Sequence, residues 1–108
     1  MTMKDLPKRE IELKLLQIKS LIESGGVKKM RDLKDSSSTK IASYAGINQG
    51  RYSSKLINPG EFTVSEIHRI SYVLGVDPKI LMEIITHEIL HEEAVKVNAN
   101  IEKEKLKK

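Results

Sequence analysis

Apolar residues recur at helical spacing along most of the chain, in segments separated by glycine and proline. In the first segment, Ile11, Leu15, Ile18 and Ile22 share one face, and the helix is expected to stop at the glycine pair after Ser24. No segment shows the two-residue alternation that is typical of a strand. The pattern predicts an all-α fold, a compact bundle of about six helices, near 11–22, 27–35, 37–46, 48–57, 63–75 and 78–90.

The clearest helix starts lie in the second half of the chain. Thr63 and Glu66 have the spacing of a capping box, and Gly75 is placed to close the helix that they begin. Asp77 followed by Pro78 predicts the start of another helix. Its apolar signal fades beyond Leu90, so 1–90 are interpreted as one domain and 91–108 as a charged tail, helical or disordered.

Composition argues against several classes of protein, namely disulfide-bonded, membrane-spanning and secreted ones. A chain of 108 residues has room for one modest core, and without cysteine it forms neither disulfides nor thiolate metal sites. No apolar run approaches the roughly 20 residues that a membrane-spanning helix needs. The first ten residues lack the apolar core of a signal peptide, and a cytoplasmic protein is therefore expected.

The positive charge is placed unevenly. The net charge is +4, and the stretch from Ser36 to Gly60 contains Lys40, Arg51 and Lys55 but no acidic residue. A polar, mildly basic and acid-free stretch suits a polyanion such as nucleic acid. The alternative is a solvated surface that lacks Asp and Glu by chance.

The same stretch has the pattern of a helix-turn-helix. Ala42 allows two helices to cross closely, Gly46 suits the turn, and Ile47 would anchor the turn in the core. The second helix of such a motif enters the major groove, where glutamine pairs with adenine and arginine with guanine. The residues expected to contact DNA are Ser38, Lys40, Asn48, Gln49, Gly50, Arg51, Ser53, Ser54, Lys55 and Asn58.

From about Ser37 to Leu81 the chain resembles the helix-turn-helix domain of phage lambda repressor, Cro and bacterial regulators of the xenobiotic-response-element type. The segments "AGIN" and "LGVD" carry the likeness, and "GINQGRYSSKLINPGEFT" is similar to a Bacteroidetes variant with a long N-terminal helix. The resemblance implies a lambda-repressor-like fold, base contacts from Gln49, Gly50 and Ser54, and phosphate contacts from Ser38 and Asn58.

A different motif lies in "THEILHEE", where His87, Glu88 and His91 match the His-Glu-x-x-His pattern of zinc peptidases. Two histidines four apart can share a zinc ion, and the glutamate between them can act as general base. A catalytic zinc also needs a third ligand and a substrate cleft, and no strand is predicted to form the edge of one. A surface or dimer-seam helix is the preferred interpretation, with a zinc-binding protein or metallopeptidase as a remote alternative.

The sequence thus predicts a DNA-binding transcriptional regulator of the nucleoid, not an enzyme, with no cofactor, metal or small-molecule ligand. A homodimer is expected, because paired half-sites multiply the contacts. The helix from Pro78, with apolar residues reaching Val95, is the candidate dimer seam. The rival class is a protein-interaction module, such as an antitoxin-like partner.

Overall fold

The computed structural model describes residues 10–107, which form five α-helices and two short 3₁₀ turns and contain no strand. The all-helical prediction is confirmed. The 3₁₀ turns cover Met30–Leu33 and Pro59–Glu61. The helices are α1 (Leu13–Glu23), α2 (Ser38–Ala45), α3 (Gln49–Ile57), α4 (Val64–Leu74) and α5 (Pro78–Leu106).

The sixth helix expected in 27–35 is a single 3₁₀ turn. Its start is fixed by Asp32, whose carboxylate accepts the backbone N–H groups of Lys28 at 3.0 Å and Lys29 at 3.1 Å. An aspartate that bonds backwards in this way favours a tight turn over a continuing helix. Val27, Met30 and Leu33 are buried, so the segment packs inward as its apolar spacing indicated.

Helix α4 lies at the centre of the fold and packs against α1, α2 and α5. The predicted capping box is present: Glu66 N–H donates to Thr63 Oγ1 at 3.0 Å, and Thr63 N–H donates to Glu66 Oε1 at 2.8 Å. Gly75 ends the helix with φ 70°, and a Cβ there would lie 2.7 Å from the Ile11 side chain. Both ends of α4 therefore lie where the sequence placed them.

Helix α5 extends well beyond the body of the fold. Its 29 residues span about 43 Å, against a longest dimension of 60 Å for the molecule. The first half packs on the core through Leu81 and Ile85, with Ile89 partly buried, whereas every residue from Leu90 to Lys107 is exposed. Of the two alternatives for the tail, helix and disorder, the structure shows helix as far as Leu106.

The hydroxyl group of Tyr52 is buried and has no hydrogen-bond partner among residues 10–107. Burial raises the pKa of this phenol, so it stays neutral. Because an unsatisfied buried hydroxyl costs about 1 kcal/mol or more, Tyr52→Phe is expected to raise the free energy of unfolding by about 1 kcal/mol in urea titrations. The control is Tyr44→Phe, which removes a hydroxyl that donates to Glu12 at the surface and should bring no gain.

Candidate nucleic-acid interface

Helices α2 and α3 are joined by a three-residue turn that holds them in a fixed relation. Gly46 ends α2 in the left-handed conformation, with φ 70°. The next N–H, that of Ile47, donates back to the Ala42 carbonyl at 2.9 Å, and the Ile47 side chain is buried in the core. Asn48 then caps α3, because its Oδ1 accepts the Arg51 N–H at 3.1 Å. The two short helices and the glycine turn predicted from sequence are all present.

The buried side of α3 is formed by Tyr52 and Leu56, which are both fully buried. This fixes the register of the helix. At about 100° per residue, Gly50 and Ser54 point away from the core, with Arg51 on one flank of the same side. The exposed residues among those expected to contact DNA are Lys40 on α2 and, on or beside α3, Asn48, Gln49, Gly50, Arg51, Ser54 and Asn58.

Gln49 is oriented by a partner that the sequence did not reveal. Its Nε2 donates to Thr39 Oγ1 at 2.8 Å, a contact between the first turns of α3 and α2. Thr39 lies ten residues upstream, and no local pattern links the two positions. The bond leaves the amide oxygen of Gln49 available and limits the number of side-chain conformations that binding would have to freeze.

Arg51 is the one basic residue of the predicted set with no ion-pair partner within 10–107. Its side chain is exposed beside Gly50. Apart from the backbone of α3 itself, the one atom of residues 10–107 within 4 Å of a Cβ at Gly50 would be Asn48 Oδ1, at 3.2 Å, so little of the fold covers this position. A ligand backbone can therefore come close to α3 at Gly50, with the guanidinium of Arg51 beside it.

Lys55 was expected on the outward face, and this is corrected by the structure. Its Nζ lies 2.8 and 2.9 Å from the two carboxylate oxygens of Glu66, and its side chain is only 19% exposed. Burial alone would raise the pKa of Glu66, but hydrogen bonds from Lys55 and Thr63 outweigh it and leave the pKa below its usual value. Lys55 therefore ties α3 to α4, and the partly buried Ser53 lies at the margin of the exposed face.

Two other predicted contacts are engaged within the fold. Lys40 Nζ and Tyr44 Oη both donate to the carboxylate of Glu12, and the hydrogen bond to Glu12 raises the pKa of Lys40. This pair is at the surface, so its stabilising effect is small and a stronger anion could displace it. Ser38 Oγ donates to the carbonyls of Leu33 and Lys34.

Asn58 stands at the opposite end of α3, where it forms the C-terminal cap. Its Nδ2 lies 3.4 Å from the Ser54 carbonyl, and its side chain is exposed. Ser38, at the start of α2, and Asn58 thus flank the exposed residues of α3 in sequence. From Ser36 to Gly60 there is no carboxylate to repel an anion.

The His-Glu-x-x-His segment lies in the middle of α5, and its glutamate has a structural contact. Glu88 Oε2 accepts the backbone N–H of Met30 at 3.0 Å and so fixes the first residue of the 3₁₀ turn to α5. His87 and His91 are exposed. Within residues 10–107 no three side chains of His, Cys, Asp or Glu are grouped as metal ligands would be.

Glu88→Ala is expected to lower the free energy of unfolding by about 1 kcal/mol, because Met30 N–H would lose its acceptor in a partly buried site. His87→Ala and His91→Ala should change stability by less than about 0.5 kcal/mol, as exposed positions usually do. Urea titration of the three variants, with and without added zinc, compares them. Unchanged stability of Glu88→Ala would contradict the structural role of Glu88, and a larger loss for the histidine variants in the presence of zinc would instead indicate a metal site.

No helix within the described residues combines the length and the apolar composition that crossing a membrane requires. Comparison with known proteins adds no relative: no family model, no curated protein and no solved structure matches the chain.

Proposed function

We propose that this protein is a sequence-specific DNA-binding transcriptional regulator that binds operator DNA through α3 and acts on the nucleoid as a pair of chains. The observation that carries the proposal is the exposed side of α3. It presents Gln49, Gly50, Arg51 and Ser54 on a short helix behind a tight glycine turn, in a stretch with no acidic residue. The lambda-repressor-like fold suggested by the sequence resemblance is part of the same proposal.

The dimensions and chemistry of α3 suit the major groove. Nine residues span about 13 Å, and the groove is about 12 Å wide and accepts an α-helix. Glutamine and arginine at the start of the helix are the side chains that pair with adenine and guanine edges. Gly50 between them in sequence removes the side chain that would hold the helix away from the DNA.

The flanking groups suit the phosphate backbone. Ser38 and Asn58 lie at the start of α2 and the end of α3, and hydroxyl and amide groups are common phosphate ligands. Lys40 contributes positive charge near the first of them once Glu12 is displaced. Such contacts position the protein, while the exposed side of α3 would read the sequence.

Selection of bound sequences from random duplex DNA tests the proposal directly. A shared motif should emerge, and anisotropy titrations on that motif should show affinity that falls steeply as salt rises. A scrambled duplex of equal length is the control for non-specific binding. Recovery of no motif, together with no binding at low salt, would contradict the proposal.

The second candidate is a protein-interaction module that uses the same helices. It is favoured by Ile57, which is exposed near the outward side of α3 although it is apolar. A protein partner would bury this side chain, and binding would then depend little on salt. Salt-insensitive co-purification with a partner, in the absence of DNA binding, would favour this candidate.

A further inference from the structure

The exposed half of α5 carries an apolar stripe with coiled-coil spacing. Leu90, Ala94, Val97 and Ile101 follow one another at intervals of four, three and four residues; they are called here the α5 stripe. Leu90, Val97 and Ile101 are 63%, 54% and 45% exposed, high values for large apolar side chains. Alternating intervals of three and four residues are the pattern by which two helices pack along a common seam.

The α5 stripe lies on the opposite side of the helix from the core. At about 100° per residue, its centre is roughly 170° from Leu81 and Ile85, which pack on the body. The dimer seam expected from the sequence, which begins at Pro78 and reaches Val95, lies on the side of α5 that faces the core. Most of its apolar residues therefore pack within the fold. The α5 stripe is a second, separate apolar face.

A groove between α5 and the end of α1 continues the line of the stripe. Ile80 and His87 line the groove and lie seven residues apart, in the same heptad position as Ala94 and Ile101. The other side of the groove includes Glu23 and Lys28, and Glu83 lies on its α5 side. A helix packed on the stripe would therefore run into a partly acidic groove, while the far end of α5 is rich in lysine.

We propose that the α5 stripe binds the same stripe of a second copy of this chain, with the two helices antiparallel. In the register that matches all four residues, Leu90 of each copy is level with Ile101 of the other, and Ala94 with Val97. Every layer is then apolar, and the small alanine faces the larger valine. A parallel pair would instead place Ala94 against Ala94 and leave a poorly filled layer.

The charges favour the antiparallel direction. In the same register, Lys105 and Lys107 of the second copy come within about one helical turn of Glu83, and Glu104 comes level with His87. A parallel pair would set Glu83 against Glu83 and Glu104 against Glu104 along the seam, and facing like charges are unfavourable. The lysines have only exposed partners three residues away within α5, which hold them weakly.

The antiparallel seam also fits the proposed function. Ile85 of one copy is level with residue 106 of the other, so the two bodies are about 32 Å apart along the seam. Half-sites one turn of DNA apart are separated by about 34–36 Å. The match between these two spacings has meaning only if the protein binds DNA, as proposed above. The association of the two chains does not depend on DNA binding.

The oligomeric state of the full chain without DNA is the first test. Sedimentation at micromolar concentration should show a dimer, and Val97→Glu should convert it to a monomer by placing charge in the seam. Val95→Glu is the matched control, because Val95 is 52% exposed but lies off the stripe, and this variant should stay dimeric. A monomeric wild-type chain would overturn the proposal and leave the stripe to another protein, and a dimer unaffected by Val97→Glu would place the interface elsewhere.

The direction of pairing is tested by disulfide formation, for which this cysteine-free chain has no background. A mixture of Leu90→Cys and Ile101→Cys chains should form the mixed disulfide, because these positions are level in the antiparallel pair. Leu90→Cys alone should not cross-link, since its two sulfurs would be about 16 Å apart along the axis. Cross-linking of Leu90→Cys with itself would overturn the antiparallel direction. A dimer that binds no DNA would contradict the proposed function and leave this inference intact.

Discussion

Arg51→Ala is expected to lower the affinity for selected duplex DNA by about ten-fold or more, since a bidentate arginine–guanine pair contributes about 1–3 kcal/mol. The thermal midpoint should stay unchanged, because Arg51 is exposed and has no ion-pair partner among residues 10–107. Anisotropy titration at fixed salt measures the affinity. Arg51→Lys keeps the charge but not the bidentate geometry, and it should relax the preference for one base while retaining most of the salt dependence.

Lys55→Ala is the informative comparison, because sequence alone placed both residues on the outward face. The structure pairs Lys55 with Glu66, so this variant should lose stability and retain affinity at temperatures where it stays folded. The two variants thus separate the exposed side of α3 from its attachment to α4. Loss of affinity in Lys55→Ala with full binding by Arg51→Ala would show that the assigned face of α3 is wrong.

The parts of the fold that could be predicted are those set by local chemistry. Gly46 and Gly75 end their helices with positive φ, and Thr63 and Glu66 cap each other across three residues. Each of these signals involves residues within about one turn of helix, so it does not depend on how the rest of the chain folds. The burial of Tyr52 and Leu56, four residues apart, is equally local and fixes which residues of α3 face outward.

The parts that could not be predicted depend on side chains that meet only after folding. Lys55 and Glu66 are 11 residues apart, Glu12 and Lys40 are 28 apart, and Met30 and Glu88 are 58 apart. The spacing that marked Glu88 as a general base is a real property of the helix. The Glu88 carboxylate nevertheless accepts the backbone N–H of Met30, in a turn that is distant in sequence. Helical periodicity does not indicate such a contact.

The length of α5 is another feature that could not be predicted from local sequence. Beyond Leu90 the sequence has few apolar residues, and an isolated helix of that composition would be marginal in water. Continuity with the packed first half removes the cost of starting a new helix. The exposed segment then presents the α5 stripe, whose four residues are too few to predict a coiled coil from sequence but lie on one side once the helix is continuous.

Glu66 is the residue whose substitution should lower the stability of the domain most. Its carboxylate binds Lys55 of α3 and also caps the start of α4 at Thr63. It accepts two hydrogen bonds from Lys55 and one from the Thr63 backbone, and only 11% of its side chain is exposed. Hydrogen bonds to a charged, partly buried group contribute about 1.5–3 kcal/mol. Glu66→Gln retains the shape and one acceptor, so a loss of about 2 kcal/mol at pH 7 is expected.

The pH dependence identifies the source of that loss. The pKa of Glu66 is lower in the folded chain than the ordinary value of 4.5, so the ionised carboxylate favours folding. Its contribution is fully present above pH 4.5 and is lost as the pH falls through the lower, folded pKa. Urea titrations should therefore separate wild type from Glu66→Gln at pH 7, and the difference between them should shrink at an acid pH below 4.5. Glu93→Gln, which removes an exposed pair with Lys96, is the matched control and should follow the wild type at both values. An equal deficit of Glu66→Gln at both pH values would mean that shape, rather than charge, holds α3 against α4.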